Sequence, residues 1–245
     1  GSRAGSNVIS MNQEGDLIWS RAHQEFYVSA MTENVSGQLV LLGRSDSSLV
    51  LKVVDNASGD IVSEKDYLGL YFPTAASPSG EGIVVTGFIK RSDSLSYSPT
   101  YLLKIDSQGD EVWREIWNQE TENSGPPLDV IETNDGGFLI FASTDPPPYA
   151  TLIKTDSNGN EEWRKKYDDY ICNSYGKIFK TEDGGFFMTS GCAVTKLNSD
   201  GSVDWQASSA SGFNKVFNNG VVTGSNSNMV QIQGGAIMVG YGSSN

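Results

Sequence analysis

Histidine is almost missing from this chain, whose 245 residues contain only His23. A Ser-His-Asp triad, a Cys-His pair or a histidine-based metal site would each have to use this one side chain. The sequence also lacks the Gly-x-Ser-x-Gly turn of many hydrolases and the Gly-x-x-x-x-Gly-Lys phosphate-binding loop. Most nucleophilic and phosphate-transfer chemistries are therefore excluded.

Basic residues and long apolar runs are scarce as well. Seventeen Lys and Arg stand against 30 Asp and Glu, which gives a net charge of −13. We expect no nucleic-acid partner, because phosphate contacts require clustered basic residues. No apolar run approaches the ~18 residues of a membrane-spanning helix, so we predict no transmembrane segment. The acidity favours a soluble monomer.

Glycine is abundant, with 27 residues, and it recurs at regular intervals. One series precedes a strand that usually carries Trp, and a second opens an earlier apolar strand. The first comprises Gly15, Gly59, Gly109, Gly159 and Gly201, and the second Gly37, Gly82, Gly137, Gly185 and Gly235. Both keep a period of roughly 50 residues, which indicates a repeated four-stranded unit, the pattern of a propeller blade.

We label the strands of one unit A to D. In the third unit we predict A near 127–133, B near 137–143, C near 149–156 and D near 160–167. The A–B and C–D turns are short and rich in Asp, Asn and Gly, as tight hairpins require. The B–C and D–A connections vary in length, and we call the surface that they form the loop face. Function usually lies on such variable loops.

The two ends of the chain carry half a unit each. Residues 7–19 read as a C and D pair, and residues 229–241 as an A and B pair. We predict an all-β fold, a five-bladed β-propeller of four-stranded antiparallel blades. In this fold the N-terminal C/D strands pair with the C-terminal A/B strands and remove the open edges. Residues 7–245 then form a single domain, preceded by a leader or expression remnant at 1–6.

The turn-Trp segments resemble the repeats of the PQQ-like (quinoprotein-type) β-propeller superfamily. The matching segments are 15–19, 109–113, 159–163 and 201–205, whereas 59–63 ends in Ser63 and should make a weaker contact between blades. The resemblance implies the fold. A flat indole ring can bridge neighbouring blades, so we expect a structural role for four residues: Trp19, Trp113, Trp163 and Trp205. We find no residues matching the Ca²⁺ site of the quinoproteins, and expect no cofactor and no metal.

Lysine recurs in strand C, at positions 52, 104, 154 and 196. Repetition in four units indicates a structural place for these side chains, with the stem packed and the ammonium solvated or paired.

Aromatic residues are concentrated in or beside the variable connections. They suit stacking on sugar rings or contacts with a protein, and capping of the blade ends is an equal alternative. We take as candidate binding residues Tyr71, Tyr97, Trp117, Tyr149, Tyr170 and Tyr175. Tyr67, Phe72 and Tyr167 lie in the same connections or next to them.

Carboxylates supply the one enzymatic alternative, because some five-bladed propellers are glycoside hydrolases. That chemistry needs two carboxylates about 5 to 9.5 Å apart. The candidates are Glu25, Glu33, Asp129, Glu132 and Asp168. Glu33 and Glu132 lie beside A–B turns, at the end opposite the loop face.

The two cysteines, Cys172 and Cys192, fall in connections at the loop face of the fourth unit. A disulfide between them and a pair of free thiols both remain open. Together with the acidity, these features suit an exported bacterial propeller that is periplasmic, secreted or a cell-surface lipoprotein. We expect a non-catalytic scaffold that binds a protein or a glycan through the loop face, with a glycoside hydrolase as the alternative.

Overall fold

The computed structural model describes residues 5–45, 48–89, 98–117, 126–144, 149–167, 176–190, 193–208, 214–217, 220–223, 225–232 and 235–241. These residues form two compact parts, within 1–120 and 121–245, which we call the N-terminal half and the C-terminal half. The described residues contain no helix of the length and apolarity that a membrane crossing requires.

The N-terminal half consists of antiparallel strands in three sheets. A two-stranded sheet contains β1 (Ser6–Met11) and β2 (Leu17–His23). The next contains β3 (Tyr27–Glu33), β4 (Leu39–Arg44), β5 (Ser48–Val54) and β6 (Ile61–Leu68). The third contains β7 (Phe72–Ser79), β8 (Gly82–Phe88), β9 (Thr100–Ile105) and β10 (Glu111–Trp117). Strand β1 begins at Ser6, one residue before the predicted start of the domain.

The C-terminal half has two further four-stranded sheets. One contains β11 (Pro127–Glu132), β12 (Phe138–Thr144), β13 (Tyr149–Thr155) and β14 (Glu161–Tyr167). The other contains β15 (Gly176–Lys180), β16 (Phe186–Ser190), β17 (Ala193–Leu197) and β18 (Val203–Ser208). Two hairpins follow, β19 (Asn214–Phe217) with β20 (Gly220–Thr223), and β21 (Ser225–Ile232) with β22 (Gly235–Tyr241).

The all-β class and the four-stranded antiparallel units are confirmed. In every four-stranded sheet the strands lie in sequence order, so the B–C and D–A connections share one end of each sheet. The two terminal strand pairs are present as separate two-stranded sheets. The hairpin of β19 and β20 is an addition that the repeat did not predict. Five blades and closure of the ring stay predictions.

Glycine performs two different tasks in the A–B turns. Gly136 has φ = +80°, a conformation that side chains rarely adopt. Its neighbour Gly137 has no such φ, but a Cβ there would lie 2.1 Å from the carbonyl oxygen of Thr155 in strand C. Gly37, with φ = +72°, therefore corresponds to Gly136, and the second glycine series of the sequence mixes the two positions.

Tyrosines near the end of strand D fasten neighbouring sheets. The hydroxyl of Tyr67 donates to the carbonyl oxygen of Gly109 at 2.7 Å, and that of Tyr167 to Gly201 at 2.6 Å. Each acceptor is the positive-φ glycine in the C–D turn of the next sheet. Both tyrosines are buried, so Tyr67 and Tyr167 fit the packing alternative at the strand ends and not an exposed binding role.

We expect Tyr167→Phe to lower the free energy of unfolding by about 1 kcal/mol, because the buried carbonyl of Gly201 loses its donor. The matched control is Tyr101→Phe. Tyr101 is fully buried, and within the described ranges its hydroxyl has no hydrogen-bond partner, so its removal should be neutral or stabilising. Urea unfolding of the two variants measures the difference. An equal loss in both would show that the contact with Gly201 contributes nothing.

Candidate functional site

An arginine surrounded by aromatic rings lies at the loop face of the N-terminal half. The guanidinium carbon of Arg44 lies 4.3 Å from the ring centre of Phe72, 5.2 Å from Tyr71 and 5.4 Å from Tyr27. The Phe72 ring stacks on Phe88, with centres 4.9 Å apart and planes 11° apart. We call these five residues the Arg44 cluster.

Strand pairing positions the cluster. Tyr27 opens β3 and pairs with Arg44, the last residue of β4. Phe72 opens β7 and pairs with Phe88, the last residue of β8. All four residues therefore lie where strand A begins and strand B ends, and Tyr71 immediately precedes β7. The Nη1 group of Arg44 donates a hydrogen bond to the Tyr71 hydroxyl.

Arg44 differs from the other described arginines in its charge partners. Arg21 pairs with Asp60 at 3.2 Å, Arg164 with Glu161 at 2.8 Å, and Arg114 with Glu111. Across the described residues, no carboxylate lies within ion-pair distance of Arg44. In a protein with 30 acidic residues, the guanidinium of Arg44 thus has, within the described ranges, aromatic faces and a phenol as its neighbours and no carboxylate.

The cluster is a local feature and is not part of the repeat. The residue that ends strand B is Arg44 in the first complete sheet, then Phe88, Thr144 and Ser190. Scaffold positions keep the same residue type from unit to unit, as the strand-C lysines do. A change at each unit is what a specific binding surface requires.

The predicted aromatic binding residues fall into different environments. Tyr71 belongs to the Arg44 cluster. Trp117 ends β10 and is half-buried, at the place in strand D that Tyr67 and Tyr167 occupy in their sheets. Tyr149 opens β13, where its backbone pairs with Thr144, and its side chain lies outside the described part. The remaining predicted residues lie outside the described ranges: Tyr97, Tyr170, Tyr175, Cys172 and Cys192.

Two of the four tryptophans that follow a C–D turn pack on glycines of the next sheet. Trp19 donates from Nε1 to the carbonyl oxygen of Asn56 at 2.8 Å, and its ring covers Gly59. The Trp163 ring covers Gly201 in the same manner, and a Cβ there would meet it at 2.6 Å. These glycines are thus needed both for their positive φ and for the space that the indole fills.

The other two tryptophans occupy the same place in strand D. Trp113 pairs with Lys104 of β9, and Trp205 pairs with Lys196 of β17. Both are half-buried, and the ring of Trp205 lies 5.8 Å from that of Phe187.

The sheet without this tryptophan reaches the next turn through other side chains. Ser63 stands at the tryptophan position of β6, where a weaker contact is expected. Four residues further along the chain, Tyr67 makes its hydrogen bond to Gly109, and Lys65 forms an ion pair with Asp110 of the same turn. Two polar contacts therefore join this sheet to the next turn, where the sequence predicts a weaker contact.

Two of the strand-C lysines, Lys154 and Lys196, hold A–B turns, in agreement with the expected structural role. Lys154 is buried and contacts Asp135 and Glu162, each at 2.9 Å. Lys196 is buried and contacts Asp183 at 2.9 Å. The two aspartates also accept hydrogen bonds from the backbone N–H groups of Gly137 and Gly185 at 3.0 Å.

Among the carboxylates, Asp129 has a structural environment. Its carboxylate accepts hydrogen bonds from the backbone N–H of Ile178 at 2.9 Å and from Nζ of Lys177 at 3.1 Å. It thereby joins two neighbouring A strands, β11 and β15. Burial raises the pKa of Asp129, while Lys177 and the Ile178 N–H act in the opposite direction.

The remaining candidate carboxylates are dispersed. Glu25 and Glu33 are exposed at opposite ends of β3, Glu132 is half-buried at the end of β11, and Asp168 lies outside the described residues.

His23 is buried at the end of β2, and its Nε2 atom has no hydrogen-bond partner in the part of the chain that the structure describes. Burial, and then the charge of Lys52, lower its pKa. Its ring lies edge-on to Phe26, with centres 6.0 Å apart. It therefore sits as a neutral packing residue.

The described residues contain no group of three or more His, Cys, Asp or Glu placed to hold a metal. The Asp-rich C–D turns use their own carboxylates. Oδ1 of Asp156 accepts from the backbone N–H groups of Asn158 at 2.8 Å and Asn160 at 2.9 Å. This carboxylate oxygen, which could otherwise bind a calcium ion, thus stabilises the C–D turn.

No protein-family model matches this chain, and no curated protein matches it in sequence. Solved β-propellers share its fold. The Dos1 propeller is 12% identical with a TM-score of 0.56, over 83% of this chain and 54% of its own. A gluconolactonase from Xanthomonas campestris is 13% identical with a TM-score of 0.54, over 98% and 76%. A protein of unknown function from Bacteroides caccae is 13% identical with a TM-score of 0.55, over 81% and 73%.

At these identities the likeness shows the fold alone. The chain is similar to β-propellers, and it spans about half the length of the Dos1 propeller.

Proposed function

We propose that this protein is a non-catalytic binding propeller that engages a glycan or a protein through its loop face. The observation that carries the proposal is the Arg44 cluster, in which partly exposed aromatic rings surround an arginine that has no carboxylate partner among the described residues. Flat rings and a guanidinium are the groups that proteins use most often to hold sugars and partner proteins.

The proposal includes the architecture that the two terminal hairpins suggest. β1 and β2 would supply strands C and D of a fifth blade, and β21 and β22 strands A and B, as in a PQQ-like propeller. A closed ring of this kind would exist as a monomer. The acidic composition and the two cysteines favour an exported protein, either periplasmic, secreted or carried on the cell surface as a lipoprotein.

The alternative is a glycan-cleaving enzyme that uses carboxylates near the ring axis. The place of Asp129 argues against it, because that carboxylate already bonds to Ile178 and Lys177. A catalytic acid needs a carboxyl group that is free to exchange a proton with the substrate.

A glycan array with the intact protein, followed by pull-down from a bacterial cell-envelope extract, tests the proposal. We expect saturable binding to a glycan or a protein. The Tyr27→Ala/Tyr71→Ala variant, which removes two rings of the Arg44 cluster, should weaken it at least about tenfold, as loss of aromatic contacts in an interface commonly does. The control is Val35→Ala, an exposed residue in an A–B turn, which should bind unchanged.

Two outcomes would overturn the proposal. Release of shortened glycan on incubation would favour the hydrolase. Undiminished binding by the tyrosine variant, with reduced binding by Val35→Ala, would move the binding surface away from the loop face.

A further inference from the structure

From the Arg44 cluster we infer the chemical class of the ligand: a sugar whose ring carries a carboxylate, with the carboxylate on Arg44 and the ring against the neighbouring aromatic side chains. This inference rests on the proposed binding function and narrows it to acidic saccharides.

The charge of the ligand follows from the unpaired guanidinium. A guanidinium has five N–H donors, and among the described residues Arg44 uses one of them, on the Tyr71 hydroxyl. Three aromatic rings within 5.4 Å displace water from its faces without supplying a negative charge. A carboxylate accepting two parallel N–H bonds would complete the site, because planar bidentate pairing is what arginine offers and lysine does not.

The sugar ring follows from the aromatic surface beside that charge. Tyr27 is 41% exposed, and Tyr71, Phe72 and Phe88 are half-buried. The apolar C–H face of a pyranose packs on such flat rings while its hydroxyls stay in water. The guanidinium of Arg44 lies directly beside these apolar rings. A ligand whose carboxylate is attached to a rigid ring fits this arrangement.

The position of the cluster supports a ligand role over a packing role. Arg21, Arg114 and Arg164 have ion-pair partners that satisfy them within the protein. Arg44 stands at the variable end of strand B, where the other complete sheets place Phe88, Thr144 and Ser190. A purely structural arginine would be expected at an equivalent place in more than one unit.

Calorimetric titration with a paired set of probes tests the inference. The acids are oligosaccharides ending in galacturonate, glucuronate or sialic acid, and each is matched by its methyl ester, which keeps the ring and removes the charge. We expect at least one acid to bind the wild-type protein at least tenfold more tightly than its ester. Arg44→Gln should abolish this preference, Arg44→Lys should retain part of it, and Arg21→Gln should leave it unchanged.

The ester comparison uses the wild-type protein, so the test survives even if an Arg44 variant fails to fold. Equal affinity for acid and ester, or an undiminished preference in folded Arg44→Gln, would overturn the inference. Binding of neutral glycans only would overturn it while leaving the proposed function intact. Binding of a Glu-rich peptide that depends on Arg44, with none of the acidic sugars bound, would overturn it in favour of a protein ligand.

Discussion

Replacing Asp183 by Asn is expected to lower the free energy of unfolding by about 2 kcal/mol. The change leaves the buried ammonium of Lys196 without its carboxylate and with neutral acceptors instead: the new amide oxygen, the Thr181 hydroxyl and the Leu197 carbonyl, the last two each at 3.2 Å. Removing one partner of a fully buried ion pair costs about 3 to 5 kcal/mol, and the exposure of Asp183 reduces that figure here. Calorimetry should show a melting temperature lower by roughly 4 to 8 °C.

The chain offers a matched comparison for this substitution. Asp135→Asn alters the equivalent turn, but Lys154 keeps Glu162 at 2.9 Å, so the loss should be about half as large. Adding Lys196→Met to Asp183→Asn removes the orphaned charge and should recover part of the stability. No recovery in the double variant would show that the turn geometry, and not the buried ammonium, determines the loss.

The acid dependence follows from the same contacts. Hydrogen bonds from Thr181, Lys196 and the Gly185 N–H lower the pKa of Asp183 below its ordinary 3.8. Burial raises the pKa of Asp135, but Thr133, Lys154 and the Gly137 N–H outweigh it and bring the value to about 2. A lowered folded-state pKa gives stabilisation that is complete above the unfolded value and is lost as the pH falls through the folded value. The stability gap between wild type and Asp183→Asn should therefore be constant above pH 5 and shrink below pH 4.

The fold could be predicted from the sequence because its turns are specified by local chemistry. The glycines at 15, 59, 109, 159 and 201 all have positive φ, and each marks a C–D turn. A backbone requirement of this kind depends on the residue itself and its immediate neighbours. The strands of the third unit accordingly lie within a residue or two of their predicted bounds.

The candidate site could be predicted only in part, because it depends on contacts between sheets. Tyr71 was visible as an aromatic in a variable connection, but Arg44 was missed. One signal was available: Arg114 and Arg164 each follow a glutamate by three residues, and Arg44 does not. For Tyr67 and Tyr167 the sequence leaves binding and packing as alternatives, because it does not show that their hydroxyls reach the next turn.

The ring closure that we propose would place Met238 opposite Ile9. In the four complete sheets, strand B pairs with strand C in one register: Leu39 with Val54, Ile83 with Ile105, Phe138 with Thr155, and Phe186 with Leu197. Each second partner is the last residue before the C–D turn. In β1, Met11 is the last residue before the C–D turn, so it corresponds to the strand-C residue of each pair. Ala236 follows Gly235 as Ile83 follows Gly82, so it corresponds to the strand-B residue. The pairs Met11–Ala236, Ser10–Ile237 and Ile9–Met238 follow.

The first two strands carry the apolar surface that such a closure would cover. Val8 and Trp19 are buried against the next sheet, whereas Ile9, Met11, Leu17 and Ile18 are between 51% and 62% exposed. An open strand edge beside exposed apolar side chains invites pairing with another strand. Among the described hairpins that lie outside the four-stranded sheets, the C-terminal one carries the A and B sequence pattern.

Cysteine pairs test this register in a chain whose own Cys172 and Cys192 are replaced by Ser. We expect an intramolecular disulfide from Ile9→Cys/Met238→Cys or from Ser10→Cys/Ile237→Cys, whichever pair lies at the closer, non-hydrogen-bonded position. The control, Ile9→Cys/Ile237→Cys, shifts the register by one residue, which points the two side chains to opposite faces and should prevent the bond. Because the bridge would enclose nearly the whole chain, it should stabilise the fold by about 5 kcal/mol in the chain-entropy model.

Non-reducing electrophoresis and the melting temperature before and after reduction measure both effects. Cross-linked dimers in place of cross-linked monomers would mean that the strands close the ring of a second copy. Cross-linking by the shifted pair alone would mean that the fifth unit has a register of its own. Absence of any bridge in a folded monomer would rule out the closure, and the edge of β1 would then be open to a partner strand from another protein.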